Sequence, residues 1–138
     1  MHILVAVDRS EESQNALENA LDNASQFDAA VTVVHAVDSD GETGADPENR
    51  GTALLEEVID NAPTEGVAVE TRVLVGDPVE TVPAYAEEIG ADVIYIGHRG
   101  LSAEDRDPTG ENRGPLGGVA SGILEETTIP VTVFDRTS

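Results

Sequence analysis

Lysine, cysteine and tryptophan are all absent from this 138-residue chain. Without cysteine the chain has no disulfide, no thiolate nucleophile and no cysteine-ligated zinc. Its longest apolar runs are strand-sized and fall well short of the roughly 20 residues that a membrane helix needs. The first residues lead straight into an apolar run with no charged segment or cleavage site, so we expect no signal peptide, a cytoplasmic protein and no membrane partner.

Positive charge is also scarce. The seven cations are all arginine, against 28 Asp and Glu residues, which gives a formal net charge of −21. Such a charge destabilises a compact fold in dilute salt, but at molar salt the Debye length falls to about 3 Å and most of the repulsion is screened. The composition therefore predicts a protein from the salty cytoplasm of a halophile, the alternative being an ordinary acidic protein. It also argues against nucleic acid as a partner, because nucleic acid is a polyanion.

Short apolar runs rich in β-branched residues predict five buried strands. They lie at residues 2–7, 30–37, 67–75, 92–96 and 130–134. Polar segments at 38–48 and 101–114 predict loops.

Helical patterns fall between these runs. Ser10 is a predicted N-cap, followed by a first-helix stripe of Ala16, Leu17, Ala20, Leu21 and Ala24. The predicted stripe of the second helix is Ala53, Leu54, Val58 and Ile59. The third helix is predicted to begin after Asp77, run to Glu88 and end at Gly90, and the fourth to span 119–126. The alternation of strands and helices predicts one α/β domain over residues 1–138, with a parallel sheet covered by helices on both faces.

Three stretches carry a resemblance to a known family. They are VAVDRS at residues 5–10, the block from VGDP at 75–78 through YAEE to GADVI at 90–94, and GHRG at 97–100. Together they resemble the universal stress protein family along essentially the whole chain. The resemblance implies a Rossmann-like, adenine nucleotide alpha hydrolase-like sheet of strand order 3-2-1-4-5. It also implies an adenine-nucleotide-binding (ATP- or AMP-type) sensor or regulator of the stress response that acts as a homodimer.

In such a sheet the ligand binds in the crevice at the carboxyl ends of strands one and four. The resemblance implies that adenine and ribose lie near the ends of strands one and two, and that the phosphates lie on a glycine loop and the N-terminus of the last helix. The implied nucleotide-binding residues are Ala6, Val7, Asp8, Ala36, Val37, Ile96, Gly97, Arg99, Gly100, Gly117, Gly118 and Val119. For Asp8 the alternative role is to cap the first helix. Mg²⁺ is expected only together with a bound nucleotide.

The glycine loop departs from the family pattern of Gly, two residues, Gly, about nine residues, Gly, then Ser or Thr. Gly97 and Gly100 fit this pattern, and the third glycine is either Gly110 or Gly117. We prefer Gly117 because it lies thirteen residues before Pro130, as the family's glycine does. This choice implies an insertion of about seven residues within 104–115.

Gly118 then stands where the family has a hydroxyl residue. Loss of one hydrogen bond to a charged group costs about 1.5–3 kcal/mol. Arg99, Arg106 and Arg113 are candidates to compensate, since guanidinium binds phosphate bidentately. In the alternative interpretation they pair with the acids of the same loop, which are Glu104, Asp105, Asp107 and Glu111.

The remaining candidates favour structural roles. We expect His35 to be a satisfied core histidine, His2 to be structural and His98 to be a solvated loop residue, and their spacing predicts no metal site. No catalytic residues stand out, so we expect no enzyme, with weak ATP hydrolysis left open.

The partner of the chain has two alternatives. The resemblance implies a homodimer through Val131, Val133 and Phe134 of the last strand, and the alternative for that strand is an ordinary sheet edge. The competing function is a nucleotide-free interaction module that binds an unknown protein partner.

Overall fold

The computed structural model of the chain describes residues 1–8, 10–37, 47–62, 64–97 and 118–134. Five strands alternate with four helices, as the sequence predicts. In chain order they are β1 (His2–Ala6), α1 (Glu11–Phe27), β2 (Ala30–Val37), α2 (Pro47–Asp60), β3 (Ala68–Val75), α3 (Pro78–Ile89), β4 (Val93–Gly97), α4 (Gly118–Glu126) and β5 (Val131–Phe134). No helix in these ranges is long and apolar enough to cross a membrane.

The strands form one sheet of order β3-β2-β1-β4-β5, and every pairing is parallel. Both the order and the parallel pairing confirm the prediction. β1 is the central strand, with Val5 opposite Val33 of β2 on one side and Tyr95 of β4 on the other. Its continuous apolar sequence follows from this position, because a central parallel strand is buried on both faces.

Side chains of β1 alternate between two cores. Ile3 and Val5 pack beneath α1 and α2, whereas Leu4 and Ala6 pack with residues of α3 and α4. The helices therefore cover both faces of the sheet, as predicted.

Local capping fixes the helix ends that the sequence predicts. Ser10 caps α1, and its Oγ accepts a hydrogen bond from the N–H of Ser13 at 3.1 Å. Asp77 caps α3 through the N–H of Val79 at 3.0 Å, and Gly90 ends that helix with φ of 70°. The end of α1 was not predicted, and Asp28 takes a left-handed φ of 55° there.

The prediction for α2 is wrong in two details. The helix begins at Pro47, inside the predicted 38–48 loop. Ala53 is exposed, whereas Leu54 and Leu55 are buried. The buried side of α2 includes Gly51, which was not in the predicted stripe. The helix packs closely on the sheet at this point, since a Cβ at Gly51 would lie 2.7 Å from a methyl group of Val73.

Candidate functional site

The sheet changes winding direction between β1 and β4. The chain leaves β1 toward β2 and leaves β4 toward β5, on opposite sides of the pair. In open α/β sheets this arrangement leaves a crevice at the carboxyl ends of the two strands. Asp8 follows β1 and Gly97 ends β4, so both flank the crevice as the sequence predicts.

Gly97 lies against the first turn of α1. A Cβ at this position would lie 2.8 Å from the backbone nitrogen of Ser13 and 3.0 Å from the carbonyl carbon of Glu12. Real Cβ atoms essentially never make such contacts with backbone. Glycine is therefore required here by the packing of α1 on β4, in addition to any role in a phosphate loop.

Asp8 is held in a compact hydrogen-bond network. Its Oδ1 accepts from the backbone N–H of Ser10 at 2.7 Å and from the hydroxyl of Ser13 at 2.9 Å. Ser13 is fully buried, and its Oγ also accepts from the N–H of Asp8 at 3.0 Å. The network joins the end of β1 to the start of α1, as the capping alternative expected. Both bonds to the Asp8 carboxylate use Oδ1 and none within the described ranges uses Oδ2, so the bonds fix the orientation of the carboxylate.

The neighbouring residues Ala6, Val7 and Ile96 lie at the carboxyl ends of β1 and β4, with Val7 in one core and Ala6 and Ile96 in the other. Their side chains are buried, with at most 1% exposure. The N–H of Val7 donates to the carbonyl of Val34 at 2.9 Å, and the carbonyl of Val7 accepts from Nδ1 of His35 at 2.7 Å. The side chains of these residues therefore have almost no surface that a ligand can contact. His35 is half-buried and hydrogen-bonded, as expected of a structural histidine.

Ala36 and Val37 end β2 and point to opposite faces of the sheet, as successive strand residues do. Val37 is only 7% exposed and lies beneath Gly51 of α2. Its carbonyl accepts from the N–H of Gly76 at 2.8 Å. β2 lies next to β1, which is compatible with the prediction that Ala36 and Val37 lie beside the crevice.

A groove of about 270 Å³ opens beside Asp8 between α1 and α2. Its lining residues are Asp8, Ser10, Gln14, Glu57, Val58 and Asn61. The sequence analysis did not predict Gln14, Glu57 or Asn61 as site residues and placed Val58 in the core. No sequence signal marks them, because they come together only through the packing of two helices. A larger groove of about 610 Å³ lies at β3, away from both Asp8 and Gly97.

The described wall of the crevice is acidic. Asp8 and Glu57 line the groove, and Glu11 and Glu12 occupy the first turn of α1. Among the described residues no arginine lines the groove, and Arg72 instead lies over the ring of Tyr85, 5.7 Å from its centroid. Within the described ranges no group of three or more His, Asp or Glu side chains is placed to hold a metal ion. An anionic ligand here therefore needs additional positive charge.

Part of the predicted phosphate loop falls outside the described residues. These positions are His98, Arg99, Gly100, Arg106, Arg113 and Gly117. Gly118 begins α4 and Val119 lies in its first turn, close to the predicted start of this helix. The first N–H groups of a helix have no partner within the helix, so both residues present backbone donors suited to an anion.

Comparisons with known proteins agree with this architecture. The model of the Universal stress protein family matches residues 1–135. The universal stress protein MJ0531 of Methanocaldococcus jannaschii is 30% identical over 145 aligned residues, which cover 97% of this chain and 81% of that protein. A universal stress protein of Archaeoglobus fulgidus, solved in complex with dAMP, is 25% identical, with 97% of each chain covered and a TM-score of 0.71. A universal stress protein solved in complex with cAMP, 23% identical, has a TM-score of 0.76 and covers 99% of this chain and 98% of its own. The chain therefore belongs to the universal stress protein family.

Proposed function

We propose that this chain binds an adenine nucleotide in the crevice between β1 and β4 and acts as a regulatory protein of the stress response rather than as an enzyme. The observation that carries the proposal is the Asp8 carboxylate, which Ser10 and Ser13 hold just after β1, where the sheet changes winding direction. The same carboxylate lines the groove between α1 and α2. An acidic side chain in this kind of crevice accepts hydrogen bonds from ribose hydroxyls. The dAMP complex of the Archaeoglobus fulgidus relative supports the same ligand class.

The size of the groove suits only part of a nucleotide. At about 270 Å³ it lies just below the usual range of ligand pockets, which begins at about 300 Å³. We assign the groove to the nucleoside, with the phosphates directed toward the N-terminus of α4, where Gly118 and Val119 supply backbone donors.

The acidic wall of the crevice affects how phosphates bind. Asp8, Glu11 and Glu12 repel a polyphosphate, and Gly118 has no hydroxyl to offer it. We therefore expect ATP to require Mg²⁺, whereas AMP, with fewer charges to neutralise, binds without it. Calorimetry of both nucleotides with and without Mg²⁺ in high KCl measures this difference. Equal affinities in all four titrations would contradict it.

Asp8→Asn tests the site directly. Asparagine keeps the Oδ1 acceptor for Ser10 and Ser13 but replaces Oδ2 with an amide donor that cannot accept from a hydroxyl. We expect the dissociation constant for AMP to rise about 10- to 100-fold, because a hydrogen bond to a charged group contributes about 1.5–3 kcal/mol. Isothermal calorimetry in high KCl measures the constant, and thermal melting checks that the variant is folded.

Asp77→Asn is the matched control. Asp77 caps α3 with the same chemistry, away from the crevice groove, and asparagine is an equally good N-cap. This variant should bind AMP as the unmodified chain does. If both variants bind AMP with unchanged affinity, Asp8 is not part of the nucleotide site.

A second candidate function is a nucleotide-free interaction module that binds an unknown protein partner. The absence of a hydroxyl at Gly118 and the acidic wall at Asp8 and Glu57 favour it. Failure to bind AMP, and ATP with Mg²⁺, would establish this candidate over the first.

We also propose a homodimer through the β5 edge. The side chains of Val131 and Val133 pack partly on the protein's own core, and the ring of Phe134 lies 5.0 Å from that of Tyr95. The contact would therefore use mainly the outward backbone groups of β5. The N–H of Ile94 donates to the carbonyl of Pro130, so the backbone of Val133 faces outward. Val133→Pro, which removes one of these donors, should lower the mass of the assembly in sedimentation velocity.

A further inference from the structure

The outer edge of β3 is the longest open backbone edge of the described sheet. β3 pairs with β2 along all eight residues and, among the described residues, with no other strand. Glu70, Thr71 and Arg72 are exposed, and Val75 is 44% exposed. An edge strand of this length presents a row of unpaired N–H and C=O groups that can template another strand.

Successive residues of β3 point their backbone N–H and C=O groups alternately toward β2 and away from it. The N–H of Gly76 donates to the carbonyl of Val37 in β2, at 2.8 Å. Alternate residues of a strand direct their backbone groups to opposite edges. The groups of even-numbered residues therefore face β2, and those of Val69, Thr71 and Val73 face outward.

We infer that this edge pairs with the β3 edge of a second copy of the chain, antiparallel, about a twofold axis at Thr71. In this register Thr71 lies opposite its own counterpart, and Val69 lies opposite the partner's Val73. Glu70 lies opposite the partner's Arg72, and by symmetry Arg72 lies opposite the partner's Glu70. The two sheets become one continuous ten-stranded sheet.

The register satisfies two independent conditions at once. The residues that face each other as hydrogen-bonded pairs (Val69, Thr71 and Val73) are those whose backbone groups point outward, giving about six hydrogen bonds between the copies. Glu70 and Arg72 then fall in the non-hydrogen-bonded pairs, where opposite side chains approach most closely. Opposite charges at these positions stabilise the pairing.

In the other registers considered, Glu70 no longer lies opposite the partner's Arg72. A twofold axis at Val69 places Ala68 of the partner opposite Glu70, and an axis at Val73 places Gly76 of the partner opposite Glu70. Parallel in-register pairing places Glu70 opposite Glu70, and like charges directly opposite are destabilising. The segment VETRV is therefore complementary to itself only when antiparallel and centred on Thr71.

The surroundings of β3 leave room for an added strand. A groove of about 610 Å³ is lined by α2 and β3 on one face, and a groove of about 310 Å³ is lined by β3 and α3 on the other. Glu56 and Asp60 line the larger groove and would face their counterparts across the twofold axis. Because their repulsion is screened by salt, association through β3 should strengthen as KCl rises.

Charge exchange tests the register. E70R alone places two positive charges opposite each other, and R72E alone places two negative charges opposite each other. Each single variant should associate at least ten-fold more weakly than the unmodified chain in sedimentation velocity at high KCl. A 1:1 mixture of the two variants should recover the association, because each positive edge then meets a negative edge. The double variant E70R/R72E should also associate as the unmodified chain does.

The controls separate this contact from general charge effects and from the β5 edge. E18R makes the same charge change as E70R on an exposed position of α1 and should leave association unchanged. V133P acts on the β5 edge alone. Because the two twofold contacts use opposite edges of the sheet, V133P should leave a dimer joined through β3, E70R should leave a dimer joined through β5, and the variant with both changes should be a monomer. Thermal melts check that every variant is folded. Single variants that associate as tightly as the unmodified chain, or a mixture that stays as weak as its components, would overturn the inference.

A cysteine introduced at the axis gives a second readout. The chain contains no cysteine, so T71C carries a single thiol. Hydrogen-bonded antiparallel pairs have Cα atoms about 5.5 Å apart, within the range that a disulfide spans. T71C should form disulfide-linked dimers on mild oxidation, whereas S25C, on the exposed face of α1, should not. Equal cross-linking of both variants would overturn the register. AMP affinity plays no part in either readout, so this inference and the nucleotide proposal can fail separately.

Discussion

At the scale of single residues, Gly97 and Ser13 fix how the start of α1 lies beside the crevice. Gly97 lets the backbone of β4 approach the first turn of α1, and Ser13 links that turn to Asp8 through buried hydrogen bonds. The absence of a side chain at Gly97 matters because the atoms that face it are the backbone and Cβ of Glu12 and the backbone nitrogen of Ser13, which cannot move aside independently of α1. The packing of α1 on β4 is therefore sensitive to the addition of a single methyl group at Gly97.

Gly97→Ala should destabilise the fold. The added Cβ would lie 2.8 Å from the nitrogen of Ser13, so α1 must shift, and overpacking of this kind costs about 1–3 kcal/mol. Chemical denaturation in high KCl measures the loss. Because α1 carries Ser10 and Ser13, the variant should also bind AMP more weakly.

Gly122→Ala is the comparison. Its Cβ would lie equally close to a neighbour, at 2.8 Å, but that neighbour is a methyl group of the Val79 side chain. Alanine also favours the helix by up to about 1 kcal/mol over glycine. Gly122→Ala should therefore destabilise less than Gly97→Ala, and the opposite order would contradict the packing account.

The sequence predicted the position of Gly97 and Asp8 but not their packing. Both were placed by the resemblance at the ends of β1 and β4, which the sheet order confirms. The contact of Gly97 with α1 and the burial of Ser13 depend on where the helix lies in three dimensions. Nothing in the local sequence indicates that a serine three residues after an N-cap will be buried and bonded to Asp8.

At the scale of elements, the start of α1 is the structural support of the site. Ser13→Ala removes the hydroxyl that donates to Asp8 and leaves the N–H of Asp8 without that acceptor. We expect a loss of about 1–3 kcal/mol in the free energy of unfolding, since the partly buried N–H of Asp8 loses its partner. Ser25→Ala, at an exposed position of the same helix, should cost less than about 0.5 kcal/mol. Equal costs in denaturant titrations would show that the network contributes nothing specific.

Regular elements were predictable where pattern and capping agree. The caps Ser10, Asp77 and Gly90 and the order of all nine elements follow from local chemistry. The prediction was wrong for α2, where Ala53 is exposed and Gly51 is buried. The orientation of that helix is set by close contact with β2 and β3, which its own apolar pattern does not encode. The groove residues on α2 went unpredicted for the same reason.

At the scale of the whole molecule, the net charge of −21 determines how the protein responds to salt. Raising KCl from dilute to molar should raise the melting temperature by several degrees, because screening reduces repulsion among the acids. Calorimetric scans across a KCl series measure this, with sodium chloride as the control for a specific effect of potassium. A melting temperature that is constant or falls with salt would contradict the halophile prediction.

The adenine nucleotide proposed for the crevice of this universal stress protein can be looked for directly. The most direct measurement is to purify the protein in high KCl, denature it, and identify released small molecules by chromatography and mass spectrometry, then titrate the emptied protein with AMP. We expect an adenine nucleotide in the released fraction and saturable binding on titration, both reduced in Asp8→Asn. Release of no nucleotide, together with no binding of AMP or of ATP with Mg²⁺, would contradict the proposal.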